Sequence, residues 1–122
     1  MMWLAVAGGG ALGCLTRYGL SEWMYSWAGR QFPWGILTAN VLGCLLIGFV
    51  AVWLQQNASE WLRGTVIIGF LGGFTTFSSF SLDAIRLLQE GAIGRAVLYI
   101  GVSLLLCLLA TALGAWVGNL VR

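Results

Sequence analysis

The chain reads as four long apolar runs separated by three short polar links. The first extends from about Met2 to Trp27 and carries Arg17 and Glu22 in its second half. The second, Trp34 to Leu54, holds no charge. The third spans roughly Arg63 to Leu88 around a charge-free core from Gly64 to Leu82, and the fourth, Ala96 to Val121, is again uncharged. At about 1.5 Å per residue, each run is long enough for a helix to cross a hydrocarbon core of about 30 Å. The links run from Ala28 to Pro33, Gln55 to Leu62 and Gln89 to Arg95. Pro33, the only proline, stands just before the second run, where a helix start tolerates it. The pattern predicts an all-α integral membrane protein, a single domain over residues 1–122 with transmembrane helices near 2–27, 34–54, 63–88 and 96–121.

The tryptophans test that topology independently. Trp3, Trp53, Trp61 and Trp116 fall at ends sharing the side of the N-terminus, and Trp23, Trp27 and Trp34 at the opposite side. All seven thus lie near a predicted membrane–water interface, where amphipathic indoles prefer to sit.

Composition agrees and narrows the field. Hydrophobic residues make up 60% of the chain and charged ones 8%, against roughly a quarter charged in a soluble domain. There is no lysine or histidine, and six arginines face four acids. A net charge of +2, scattered along the chain, excludes a nucleic-acid surface. The first run is not expected to be a cleavable signal peptide, because it lacks a basic start and continues past Tyr18 with an arginine inside it. Cys14, Cys44 and Cys107 all stand within apolar runs, and their odd number argues against a disulfide framework. With no histidine, no clustered carboxylates and no phosphate loop, nothing suggests an enzyme.

Orientation is left open by the arginines. Arg63 and Arg122 lie on the N-terminal side and Arg30, Arg86 and Arg95 on the other, almost no bias under the positive-inside rule. Either the signal is weak, or copies insert both ways up and pair antiparallel. The pairs Gly9–Gly13, Gly69–Gly73 and Gly114–Gly118, with Gly43 and Gly48, mark faces where helix backbones approach closely in lipid. Four short spans enclose little volume, so a solute pathway is expected in an oligomer.

The candidate chemistry lies in the third run, which reads GGFTTFSSFS from Gly72 to Ser81. Two adjacent glycines weaken a helix, and five of these ten residues carry hydroxyls. Backbone groups freed by a break at membrane depth need a partner that lipid does not supply, so irregular chain is expected only inside protein or along a hydrated path. Free carbonyls at such a break can bind a bare cation. Phe77 and Phe80, three apart, share a helical face, and the positive edges of their rings can replace water around an anion without a fixed charge. Asn40 in the second run offers an amide donor. Tyr99, Ser103, Cys107 and Thr111 form one stripe of the fourth run. Arg17, the deepest charge, either snorkels to the nearer interface or sits in a vestibule that draws anions in. Asp83 and Arg86, three apart, are expected to pair.

GGFTTFSSFSLD, with the asparagine of the second run and the arginine of GCLTRYG in the first, resembles the Fluc (CrcB-like) family of fluoride channels over essentially the whole chain. The resemblance implies a dual-topology antiparallel homodimer with two pores in the bacterial inner membrane, exporting fluoride passively to relieve its toxicity. It implies that Phe77 and Phe80 are the pore phenylalanines and Asn40 the pore asparagine, with Ser78, Ser79, Tyr99 and Ser103 in a polar track. Backbone carbonyls of Gly72 and Thr75 from both copies would hold a structural sodium ion, and Arg17 would stand in the vestibule. The chain departs from the family at Ile36, where a threonine is common, and at Cys107, where a serine or threonine often stands. A small multidrug transporter, with Glu22 as its proton-exchanging carboxylate, and a non-transporting membrane subunit are the alternatives.

Overall fold

A computed structural model describes residues 1–121, so the Arg122 of the charge comparison lies outside the described residues. Helix α1 (Met2–Ala28) and helix α2 (Trp34–Asn57) are continuous. The third run starts at Ser59, whose hydroxyl accepts from the Leu62 N–H at 3.2 Å, and opens as α3 (Glu60–Arg63). It then widens into a π-helical segment (Gly64–Leu71), returns to α-helix as α4 (Gly72–Phe74), and resumes after two residues as α5 (Phe77–Gln89). Helix α6 (Ile93–Val121) completes the chain. Gly29 and Gly91 end α1 and the α5 turn with φ of 82° and 81°, a region that a residue with a Cβ avoids.

Among the described residues the regular structure is all helical, and three stretches are long and apolar enough to cross a membrane: Trp34–Gln56, Glu60–Gln89 taken through its interruption, and Ile93–Val121. Helix α1 has the length but not the composition, because five glycines, Arg17 and Glu22 dilute its apolar residues. The seven indoles are all exposed, as interface residues should be.

Two close crossings organise the chain. In the first, α1 lies on the π-helical segment and α4. A Cβ on Gly13 would run into the Phe70 carbonyl, and one on Gly73 into the Gly10 carbonyl, at 2.6 Å. Gly9 and Gly69 meet in the same way, so two G-x-x-x-G pairs face each other. In the second crossing α2 lies along α6, with Gly48 against the Thr111 carbonyl, Gly114 against that of Leu45 and Gly118 against that of Phe49. Residue numbers rise together on both sides of each crossing, so both helix pairs run parallel. All three sequence pairs, and Gly48 with them, are therefore used within one chain.

The halves join at two places. Gly35 of α2 sits on the Cα of Ser21 in α1 at a would-be Cβ distance of 2.7 Å, and Gly43 faces the Thr75 methyl and the Phe74 ring. A core of Ile36, Leu37, Phe80, Ala84, Leu87 and Tyr99 fills the space between α2, α5 and α6. Elsewhere large apolar side chains such as Leu12, Leu105 and Leu108 are exposed, a surface suited to lipid.

The crossings predict opposite responses to the same substitution. Gly13→Ala should cost about 1–3 kcal/mol by overpacking, whereas Gly19→Ala, which meets open space, should be neutral or stabilising by up to about 1 kcal/mol. Unfolding titrations of the purified chain in micelles measure both. Equal effects at the two sites would remove the crossing from the account of the fold.

Candidate functional site

The break falls at Thr75 and Thr76, whose ψ angles of 155° and 121° are extended. Gly72 and Gly73, expected to weaken the helix, stay helical, and the smallness of Gly73 serves the approach of α1. The N–H of Thr76, which a continued helix would direct to the Gly72 carbonyl, is taken by Asn40 instead. The Asn40 Oδ1 accepts from it at 2.7 Å and the Asn40 Nδ2 donates to the Thr76 carbonyl at 3.0 Å. One side-chain amide thus replaces the helical partner of the Thr76 N–H at membrane depth and adds a second donor to the Thr76 carbonyl, which also starts the α5 ladder. The expectation that Asn40 offers its NH2 to an ion is narrowed: one of its two N–H donors is occupied, leaving the other.

The hydroxyls divide by role. Thr75 Oγ1 bonds back to the Leu71 carbonyl at 3.0 Å, a local bond that anchors the end of α4. Thr76 Oγ1 caps α5, accepting from the Ser79 N–H at 3.1 Å, and lies 3.2 Å from Ser78 Oγ. The break therefore leaves a capped, 13-residue helix starting at mid-run, with the first N–H groups of Phe77 and Ser78 at its positive end.

That helix start opens on a pocket of about 220 Å3 whose lining includes Asn40, Thr75, Thr76, Phe77, Phe80 and Ser103, with no charged side chain. The two phenyl centroids are 5.4 Å apart. Phe80 is 8% exposed and packs on Tyr99 at 5.2 Å, while Phe77 is 74% exposed and turned outward. Tyr99, fully buried, and Ser103, also buried, lie behind the rings, and neither hydroxyl has a hydrogen-bond partner among the described residues. Two orphaned donors beside an uncharged pocket form a place that a small acceptor would satisfy.

The remaining sequence candidates stand apart from it. Arg17, half-buried, and Ser79 line a second pocket of about 250 Å3 with Ser21, Glu22, Tyr25 and Asp83. Ser78 is exposed, and Gly72 is exposed on the chain's surface. Asp83 and Arg86 do approach, at 3.5 Å, and the other Asp83 oxygen is buried without a partner. Glu22 is paired with Arg30 at 3.1 Å, which ties up the carboxylate that a drug–proton exchange would need free. Two features escaped the sequence reading. The Asn40–Thr76 pairing joins residues 36 apart and has no local signature. The π-helical segment had one faint mark, the five-residue step between the buried Gly64 and Gly69, the interval of the π-helical bond.

Residues 4–115 match the family described as CrcB-like protein, Camphor Resistance (CrcB). A protein of Hydrogenovibrio crunogenus named "Fluoride-specific ion channel FluC" is 46% identical over 118 residues, 95% of this chain and 89% of its own length. Relatives with the same name in Magnetococcus marinus and Stutzerimonas stutzeri are 45% and 49% identical, over 98% and 96% of this chain and 97% and 93% of theirs. With its three long apolar stretches and these relatives, the chain is a multi-pass membrane protein.

Asn40→Ala should leave the Thr76 N–H unpaired and take one donor from the Thr76 carbonyl. A loss of about 1–3 kcal/mol in micelle unfolding is expected, with faster hydrogen exchange at Thr76 and little change along α6. Unchanged exchange at Thr76 would show that the amide does not hold the break.

Proposed function

Because this chain belongs to the CrcB-like family, whose named relatives are ion channels and not enzymes, we propose that it is a fluoride-selective channel. It lets fluoride leave the cytoplasm passively across the bacterial inner membrane and so relieves fluoride toxicity. The observation that carries this reading is the uncharged pocket at the break, where the positive end of α5, two phenyl rings and the orphaned Ser103 hydroxyl converge, with Tyr99 packed behind Phe80. A small anion entering bilayer depth loses hydration, and these groups supply dipoles and ring edges in its place. A fixed cation would hold it too long for rapid conduction.

In this reading Phe77 and Phe80 form the narrow part of the path. Tyr99 and Ser103 donate along it, and Asn40 both holds the break and offers its second N–H. Ser78 and Ser79 extend the polar track toward the pocket of Arg17, which serves as the vestibule. Fluoride passes as a bare ion between donors that never bond it permanently.

The active form is an antiparallel homodimer of two oppositely inserted copies, each of four spans with a broken third, giving two pores. Two observations support it. Arginine bias is nearly absent from the sequence, and Phe77 and Gly72 are exposed on a single chain. A structural sodium ion belongs at the centre of that dimer, held by the Gly72 and Thr75 carbonyls of each copy. The fit is reasonable for this chain, since the Gly72 carbonyl has lost the donor that Thr76 gave up to Asn40. Sodium there would supply positive charge that ties the two breaks together.

Reconstituted in liposomes, the chain should release trapped fluoride once a counter-ion path is opened, and should retain chloride. Phe77→Ile should suppress the fluoride release while leaving the assembled particle intact by size-exclusion chromatography. Equal chloride flux, or unchanged flux in Phe77→Ile, would remove the channel reading or move its path. For topology, Gly94→Cys in the open first turn of α6 should react with an impermeant maleimide on about half of the copies from each face of the membrane. Labelling from one face alone would exclude dual insertion.

A further inference from the structure

Two of the three cysteines take no part in the path described above. Cys44 on α2 and Cys107 on α6 each stand one helical turn before a contact residue, Gly48 and Thr111. The parallel course of the helices brings the two thiols to the same level, and the absence of a side chain on Gly48 lets the backbones close. The two cysteines stand on facing helices at one wall of the same cavity. Both line the 220 Å3 pocket that holds Asn40, Phe77, Phe80 and Ser103. Cys14, on α1, is exposed and does not line this pocket.

The geometry points to a binding site for a soft, two-coordinate cation of the Cu+ and Ag+ class, held between the Cys44 and Cys107 sulfurs. Cysteine sulfur selects soft ions. Among the described residues no three of Cys, His, Asp and Glu come together, so an ion that needs four such ligands, as Zn2+ does, is not completed here. A univalent soft ion is satisfied by two sulfurs. Charge points the same way. One S–H bond breaks and its proton leaves to water while two metal–sulfur bonds form, so a thiolate, a thiol and the cation make a neutral unit. No electron changes hands. A neutral unit suits a pocket with no charged lining at membrane depth, where a bare charge would be costly.

The site stands on the cysteine pair alone, whereas its effect on transport rests on the proposed fluoride path. An ion seated between Cys44 and Cys107 occupies the wall of the pocket beside Phe80 and Ser103, and so obstructs that path.

The test uses the purified full chain in micelles, titrated with Ag+ in chloride-free buffer. One Ag+ per chain should bind, release one proton, and protect Cys44 and Cys107 from maleimide while Cys14 continues to react. Cys44→Ser or Cys107→Ser should each weaken binding by about 100-fold or more, since the second sulfur acts at high effective concentration. Cys14→Ser should bind as the unsubstituted chain does. Protection of Cys14 in place of the pair, or undiminished affinity in the single serine variants, would overturn the site. In liposomes, the same Ag+ should reduce fluoride efflux in the unsubstituted chain. It should not reduce efflux in Cys44→Ser/Cys107→Ser, each protein being compared with its own metal-free rate. Binding to the pair with undiminished efflux would confirm the site and place the fluoride path elsewhere. Inhibition that persists in the double variant would overturn the obstruction.

Discussion

A polypeptide can leave helical geometry inside a bilayer only when something other than water takes over its backbone hydrogen bonds. In this chain the Asn40 amide does so, matching the Thr76 N–H and carbonyl with its own oxygen and nitrogen. The rest of the third run follows from that exchange. Thr76, held in extended form, can turn its hydroxyl to the Ser79 N–H and begin α5 there. Starting α5 at that point aims the positive end of a helix, with Phe77 and Phe80 on its first turn, into an uncharged space.

The amide can act only because α2 is held at the right height, and the glycines set that height. Gly43 allows the Thr75 methyl and the Phe74 ring to come against α2. Gly48 and Gly114 lock α2 to α6, and α6 in turn carries Tyr99 and Ser103 behind the rings. On the opposite side Gly9 and Gly13 seat the third run on α1. Small residues at the crossings and one amide at the break thus replace the water-driven packing that a soluble domain of this size would use.

Much of this was legible in the sequence, and the exceptions share a cause. The all-helical character, the exposure of the indoles and the sharing of a pocket by Phe77 and Phe80 all follow from local periodicity and composition. The G-x-x-x-G pairs announced close crossings but not which helices cross, because the pattern encodes a surface and not its partner. The double glycine at 72–73 looked like the weak point, yet the chain breaks two residues later, where a distant amide takes over the backbone bonds. Asn40 itself was singled out, but its bond partner lies 36 positions away. Ser79 and Arg17 were grouped with the phenylalanines and lie on another pocket. Helical period places a residue on a face, and only tertiary packing decides which cavity that face meets.

The two glycine crossings made within a single chain have a consequence for biosynthesis. A freshly inserted chain carries both crossings in its own sequence, so its helices can pack before it meets any neighbour. Whatever assembles afterwards must recognise bulky surface side chains and the open end of the break, and the encounter selects among folded copies. Folding would then set the inventory of competent subunits, and lateral diffusion in the bilayer the pace at which they find one another.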